Sequence, residues 1–404
     1  MIKIINFSKN KNLKSLSKIL ETRKERSKID TSIVNIILKD IKKNKIKSVI
    51  KFEKKFSKNK KLFPSKREIN RSIRFLNPKV KFAIDQAYIR IKKFHQLQKI
   101  KEIKFVDKLK NKIEYKHVPI NNLGIYVPAN LPSTLLMNAV PANIAGVKNI
   151  VLANPMIDKK LNPAVMYVAK KCGIKKIINV GGAQAIGCLA YVYKVDKIIG
   201  PGNDFVARAK KEVFGDVGIE GMIAGPSEVT IIGDKSSNFN LLATSMIAQS
   251  EHGPNSQSIL VSKNLNTLKE TKKKILNLAK NLPRKKIILK SLKKNGLLIL
   301  AKNDPQIVEI INLISPEHLE IVTKNFKKYL NKVTNAGSIG LGKYSPVAAS
   351  DYNVGTNHTL GTLGSARYSS GLNLSDFYKK ISVFNLTKKG IEVIGKQAIT
   401  LAEY

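Results

Sequence analysis

Three of the five histidines in this 404-residue chain stand in short polar clusters: Gln249-Ser-Glu-His252-Gly-Pro, Ser315-Pro-Glu317-His318-Leu and Ser350-Asp351-Tyr-Asn-Val-Gly-Thr-Asn-His358. On a helix Gln249 and His252, three apart, share one face, so both can point at one ion. Imidazole, carboxylate and an amide carbonyl suit a borderline divalent cation such as zinc. Spacing alone leaves open that His252, beside Gly-Pro, is instead a hydrogen-bond partner at a helix end. Glu317-His318 sets a carboxylate next to an imidazole, two proton acceptors of different intrinsic pKa. The preceding Ser-Pro suits a helix start or a tight turn. In a loop both side chains can face one cleft, whereas on a helix Glu317 would merely favour the positive N-terminus. His95 and His117 stand among lysines and are expected to be solvated.

A second kind of chemistry is suggested by Gly181-Gly-Ala-Gln-Ala-Ile-Gly187. It lies at a strand-to-helix junction, where backbone N–H groups and a helix N-terminus can meet a phosphate. The run is not the Gly-x-Gly-x-x-Gly fingerprint, and no acidic residue ends the next strand, because Asp196 begins it. A nicotinamide cofactor does not follow from this loop by itself.

The elements that must position these groups alternate. From Gly124 onward, strand-like runs at 125–127, 149–153, 176–180, 196–199 and 228–232 are separated by helical patterns at 133–146, 163–171, 184–191 and 204–214. Strand and helix alternating at this spacing imply a parallel, doubly wound sheet covered on both faces. A boundary is expected after the strand at 228–232, in the Asp234 to Asn240 stretch. A second α/β unit follows, with strands at 258–261, 286–289 and 297–300 and helices at 268–282 and 305–314. A loop-rich segment begins beyond Asn335, and a last helix runs from Lys389 to the end. The opening section reads as amphipathic helices, at 12–20 and 33–50 and again from Pro78.

Composition narrows the function class. The chain holds 73 Lys plus Arg against 28 Asp plus Glu, a net charge of +45. That balance fits nucleic acid or a membrane surface, but the charge is unevenly placed. Residues 1–120 carry +26, residues 121–258 only +4, and residues 259–404 carry +15. Glycine runs the other way, with none before Gly124 and 14 of 24 between 121 and 258. Lysine therefore keeps helix faces wet where no ligand loop lies, and aromatics are not interleaved with it as a single-strand-binding platform requires. No nucleic-acid or membrane partner is expected. No apolar run approaches a membrane span, and the first residues are too short and polar for a signal peptide. Cys172 and Cys188 sit in apolar runs, which suits buried thiols in a reducing cytoplasm.

Taken together, the motifs are more specific than any one of them. Tyr126-Val-Pro, Gly181-Gly-Ala-Gln-Ala-Ile-Gly, Lys194-Val-Asp-Lys-Ile-Ile-Gly-Pro-Gly-Asn203, Ala224-Gly-Pro-Ser-Glu-Val229, Gln249-Ser-Glu-His-Gly-Pro-Asn-Ser-Gln257, Ser315-Pro-Glu-His-Leu319 and Asp351-Tyr-x-x-Gly-Thr-Asn-His358 stand in this order. In that order the chain resembles the histidinol dehydrogenases, from about residue 120 to the end.

The resemblance implies a cytoplasmic, zinc-dependent homodimer that oxidises L-histidinol to L-histidine through the aldehyde, reducing two NAD in succession. It makes Gln249, His252 and Asp351 ligands of one zinc per subunit, and Glu317 and His318 the proton acceptors. Tyr126, Gln184 and Asn203 match NAD contacts. Ser227 and His358 match substrate contacts, with Gln249, His252, His318 and Asp351 also around the substrate. In fold terms it implies two Rossmann-like doubly wound α/β domains with small helical terminal pieces. The divisions expected are 1–23, then 24–123 with 236–372 as a discontinuous domain carrying the metal and catalytic motifs, 124–235 inserted, and 373–404. The family's chain continues past the stretch matching Thr400-Leu-Ala-Glu-Tyr404 to a substrate-contacting glutamate and a partner-supplied zinc histidine. Since this sequence stops at Tyr404, a second reading is a folded homologue with impaired catalysis.

Overall fold

The computed structural model describes residues 2–9, 13–26, 31–59, 61–220 and 225–404. Asn12 and Ala224, which belong to the helix and motif read above, lie outside the described residues. Fourteen strands are described: β1 (Lys3–Asn6), β2 (Ile103–Val106), β3 (Lys112–Pro119), β4 (Asn122–Tyr126), β5 (Asn149–Ala153), β6 (Lys176–Ile178), β7 (Lys197–Ile199), β8 (Gly218–Ile219), β9 (Glu228–Gly233), β10 (Gln257–Ser262), β11 (Gly296–Leu300), β12 (His318–Val322), β13 (Ser338–Leu341) and β14 (Tyr378–Asn385).

They form three sheets. A five-stranded sheet runs β6-β5-β4-β7-β8 and a six-stranded sheet β1-β11-β10-β9-β12-β13, every pairing parallel. Counted within each unit, both follow the order 3-2-1-4-5 of doubly wound nucleotide-binding folds, the second with β1 added at its edge. The order reverses between β4 and β7 in one sheet and between β9 and β12 in the other. Strands β9, β10 and β12 are buried along their whole length, as sheets covered by helices on both faces require. A small antiparallel sheet, β14-β3-β2, completes the fold.

Five helices of the doubly wound units begin where asparagine supplies a cap. Asn162, Asn203, Asn238, Asn264 and Asn303 each accept backbone N–H bonds at the starts of Pro163–Lys171, Asp204–Val213, Phe239–Ser250, Leu265–Ala279 and Asp304–Ile314. Each such cap is worth about 1 kcal/mol relative to alanine.

Several sequence expectations change. Strand β9 does not close the first unit, because it pairs with β10 and β12 in the six-stranded sheet. Residues 286–289 are not a strand but lie in helix Lys285–Asn295. Its buried residues Ile288, Ser291, Leu292 and Asn295 follow helical spacing, and the short Ile-Ile-Leu run hid that period. Both terminal regions contribute strands as well as helices, since β1 joins the larger sheet and β14 the small one. His95 is fully buried rather than solvated, its Nδ1 2.8 Å from the Ile91 carbonyl oxygen. Cys172 and Cys188 are buried free thiols. Among the described residues no helix is long and apolar enough to cross a membrane.

Candidate active site

Two loops at the carboxyl edge of the five-stranded sheet hold the nucleotide candidates. After β6 the chain passes Gly181, where the Pro155 side chain leaves only 3.0 Å to where a Cβ would sit, and starts helix Gly182–Gly187. Tyr126, the last residue of β4, is buried, with its hydroxyl 3.4 Å from the Gly182 N–H. Gln184 is buried too, and its amide donates to Glu53 Oε1 at 2.8 Å. The same oxygen accepts the Gly181 N–H at 2.9 Å. After β7, Gly200 has φ +109° and lies so close to Tyr126 that a Cβ would fall 2.0 Å from its carbonyl oxygen. Asn203 then caps helix Asp204–Val213 through the Val206 N–H. Glycines that let backbone approach backbone, beside the point where strand order reverses, fit a dinucleotide even without its common fingerprint.

The second cluster gathers at the amino edge of the six-stranded sheet. Ser315, at φ +50°, ends helix Asp304–Ile314 with a left-handed cap, and Pro316 prevents its continuation. Of the helix start and the tight turn that Ser-Pro suits, the chain takes the turn, at a helix end, and Glu317-His318 leads straight into β12. Glu317 is buried, and its Oε2 accepts the Glu228 N–H at 2.8 Å across the β9–β12 switch. His318 Nε2 lies 3.9 Å from Glu317 Oε1 and 3.7 Å from Asp351 Oδ1, so three side chains from two distant segments meet. His318 Nδ1 is buried without a hydrogen-bond partner.

Asp351 is carried by helix Val347–Tyr352. The start of that helix is tied down by buried Glu320, whose Oε1 accepts the Val347 N–H at 2.7 Å. His358 Nδ1 is 2.6 Å from the Asp351 carbonyl oxygen, and its Nε2 is 3.5 Å from Thr134 Oγ1. Thr134 lies in helix Pro132–Ala145, which follows β4, so this cluster touches the unit bearing the nucleotide loops. Gln249 is buried near the end of helix Phe239–Ser250, but His252 falls on the turn beyond that helix, so the two do not share a helical face. Ser227, half-buried, directly precedes β9, and its carbonyl oxygen accepts the Gln257 N–H at 3.0 Å.

Electrostatics set the cluster apart from the Lys-rich surface. Burial raises the Glu317 carboxyl well above its usual range, with Glu228 and Asp351 adding to the rise. Burial lowers His318 to about 3, with His358 and His252 nearby pushing the same way. Asp351 rises to about 6 and His358 falls to about 4, both chiefly through burial. Although His252 opens to solvent, the surrounding protein desolvates its ring and lowers its pKa. Imidazoles and carboxylates whose pKa values are displaced by burial are what proton transfer needs, and a neutral imidazole also suits a metal.

Among the described residues no three His, Cys, Asp or Glu side chains stand close enough to hold a metal by themselves. Gln249 Nε2 is buried without a partner. Hydrogen bonding alone decides which end of an amide faces a given space, so Gln249 can present its oxygen there instead. With an uncharged His252 and with Asp351, this donor set suits zinc.

Four residues that matter here escaped the sequence reading: Glu53, Glu320, Thr134 and Lys210. A signal existed for two of them. Glu53 neighbours Phe52 and follows Val49 by one turn, and Lys210 lies between Val206 and Val213, so each puts a charge on an apolar helical stripe.

The family model described as histidinol dehydrogenase matches residues 20–404. A histidinol dehydrogenase from Pelagibacter ubique is 55% identical, with 100% of this chain and 96% of that protein covered. One from Prochlorococcus marinus is 38% identical over 99% of this chain and 96% of its own. The crystal structure of histidinol dehydrogenase from Elizabethkingia anophelis superposes with a TM-score of 0.91 at 36% identity, covering 100% of this chain and 94% of that one. An acetylating aldehyde dehydrogenase from Geobacillus thermoglucosidasius, at 15% identity and a TM-score of 0.50, shares the fold alone. These matches do not favour a folded relative with impaired catalysis. The chain belongs to the histidinol dehydrogenase family, NAD- and zinc-using oxidoreductases that carry out the last step of histidine biosynthesis.

Proposed function

We propose that this chain performs the four-electron oxidation of L-histidinol through the aldehyde with Glu317 and His318 as its proton acceptors. The observation that carries this reading is the meeting of His318, Glu317 and Asp351 within 4 Å, with pKa values pushed in opposite directions. In the proposed assignment Gln249, His252 and Asp351 hold one zinc per subunit. Tyr126, Gln184 and Asn203 contact NAD, and Ser227 and His358 join Gln249, His252, His318 and Asp351 around the substrate. When bound, NAD accepts the hydride of each oxidation and zinc holds the substrate's imidazole and amine.

The chain's own groups do the proton work. In the first oxidation a proton acceptor takes the alcohol proton as hydride leaves the carbinol carbon. In the second an acceptor takes a proton from the water that adds to the aldehyde carbon, the next hydride leaves to give the carboxylic acid, and that acid loses its own proton to give the carboxylate. Burial keeps His318 uncharged at neutral pH, with a lone pair ready. Burial raises the Glu317 carboxyl, so the two acceptors differ in their affinity for a proton. Thr134 and the Asp351 carbonyl hold the His358 ring between them.

The same reading makes the protein a cytoplasmic homodimer. Buried free thiols at Cys172 and Cys188 suit a reducing compartment. Helix Lys388–Glu403 buries only Gly390 and leaves Ile391, Val393, Ile399 and Leu401 exposed, which suits a face covered by a second copy. The two large sheets are read as two domains, with the inserted one drawn to end before β9 rather than after it.

Glu317→Gln and His318→Asn test the assignment. Each should lower kcat by about 10²- to 10⁴-fold with zinc content unchanged by metal analysis. A kcat within tenfold of the parent in both variants would remove these residues from the chemistry.

A further inference from the structure

Among the described residues Lys210 is the one lysine that is fully buried. A buried ammonium is costly unless it is well bonded, and an apolar side chain of similar length would fill the space without that cost. The side chain leaves helix Asp204–Val213 toward its N-terminus, as helical side chains do. Its Nζ donates to the carbonyl oxygen of Gly200 and lies 3.4 Å from that of Glu220. Gly200 follows β7 and Glu220 follows β8, so one ammonium joins the ends of the two strands beyond the switch point. Through Gly200, packed against the Tyr126 backbone, it also fixes the end of β4.

The nearby charges are arranged around this contact. The Glu220 carboxylate pairs with Lys197 at 2.9 Å, and the Lys197 ammonium is also held by the Asp376 carbonyl oxygen at 2.7 Å. Glu220 therefore supports the buried charge from a distance without capturing it. Burial brings the Lys210 ammonium down to about 8, which still leaves it mostly protonated at neutral pH.

We propose that Lys210 is a positioning residue for the dinucleotide: by holding the Gly200 carbonyl from beneath, it sets the Gly200–Asn203 loop and the Tyr126 backbone in the shape the cofactor meets. It does not touch the cofactor. The proposal rests on the reading that Tyr126 and Asn203 contact NAD. A charged donor is needed because the loop contains Pro201, which has no N–H, and Gly200 at positive φ, so the loop's own backbone does little to hold it.

The test uses the full-length, zinc-loaded protein with Lys210→Met and Lys210→Arg, alongside Tyr126→Phe. Lys210→Met should raise the KM for NAD about tenfold while kcat at saturating NAD and the KM for histidinol stay within twofold. Lys210→Arg should recover part of the loss. Equal losses in kcat and both KM values, or an unchanged KM for NAD, would overturn the proposal. Should Lys210→Met fail to fold, Lys210→Gln is read by the same criteria. Tyr126→Phe separates the two levels of inference. If it raises the KM for NAD while the Lys210 variants do not, Lys210 alone is wrongly assigned. If it leaves that KM unchanged, the Tyr126 contact is wrong, and the Lys210 variants still decide whether the loop is set from beneath.

Discussion

Glu53 offers a direct measure of how the nucleotide loop is built. Its Oε1 accepts the Gly181 N–H at 2.9 Å and the Gln184 amide at 2.8 Å, and the residue is only 1% exposed. Hydrogen bonds to a charged acceptor contribute about 1.5–3 kcal/mol each, and a donor left unmade in the interior costs a similar amount. Glu53→Ala removes both bonds at once, so it should lower folding stability by about 3–6 kcal/mol, and it should raise the KM for NAD if the loop shapes that site. Glu53→Gln keeps one oxygen that can receive both donors and loses only the charge, so its cost should be less than half as large. Denaturant unfolding at neutral pH gives the stabilities, and initial rates against NAD give the KM. An alanine variant within 1 kcal/mol of the parent, or a glutamine variant as damaged as the alanine one, would refute the idea that this carboxylate organises the loop.

Gly200→Ala should destabilise the protein by more than about 2 kcal/mol, because its φ of +109° disfavours a side chain and a Cβ would lie 2.0 Å from the Tyr126 carbonyl oxygen; an unchanged denaturation midpoint would contradict this. Lys210 titrates near 8 when folded against its ordinary 10.5, so between those values the unfolded chain binds more protons and stability should rise with pH. Relative to Lys210→Met, the parent should therefore gain about 3 kcal/mol between pH 8 and pH 10.5, and parallel stability curves for the two proteins would exclude a depressed lysine. Glu320→Ala removes the acceptor for the Val347 N–H and loosens the helix bearing Asp351, so zinc affinity should fall about 10- to 100-fold by competition with a chelator. Unchanged affinity would show that Asp351 is held by other contacts.

The fold was readable wherever the period of apolar residues matched a single element. Pro163–Lys171 and Lys388–Glu403 stood out through their caps and spacing. The Ile-Ile-Leu run at 287–289 misled because three apolar residues fit strand and helix alike, and the deciding burial of Ser291 and Asn295 is tertiary. Strand β9 could not be assigned to its sheet from order along the chain, since parallel strands choose neighbours through crossovers. At the site, Glu317 and His318 were legible as a carboxylate beside an imidazole. Their placement was not, because only the folded chain shows a left-handed Ser315 leading into the mouth of β12. Glu53 and Glu320 act across 128 and 27 residues of sequence, respectively, on groups whose proximity only the folded chain creates.

Removal of two hydrides from one alcohol at one site is measured by supplying purified, zinc-loaded protein with a limiting, known amount of L-histidinol and excess NAD, and following NADH by absorbance to completion. Two NADH per histidinol, with histidine as the product, is the expected result. One NADH with accumulating aldehyde, or no NADH from the folded, metal-loaded protein, would contradict the account.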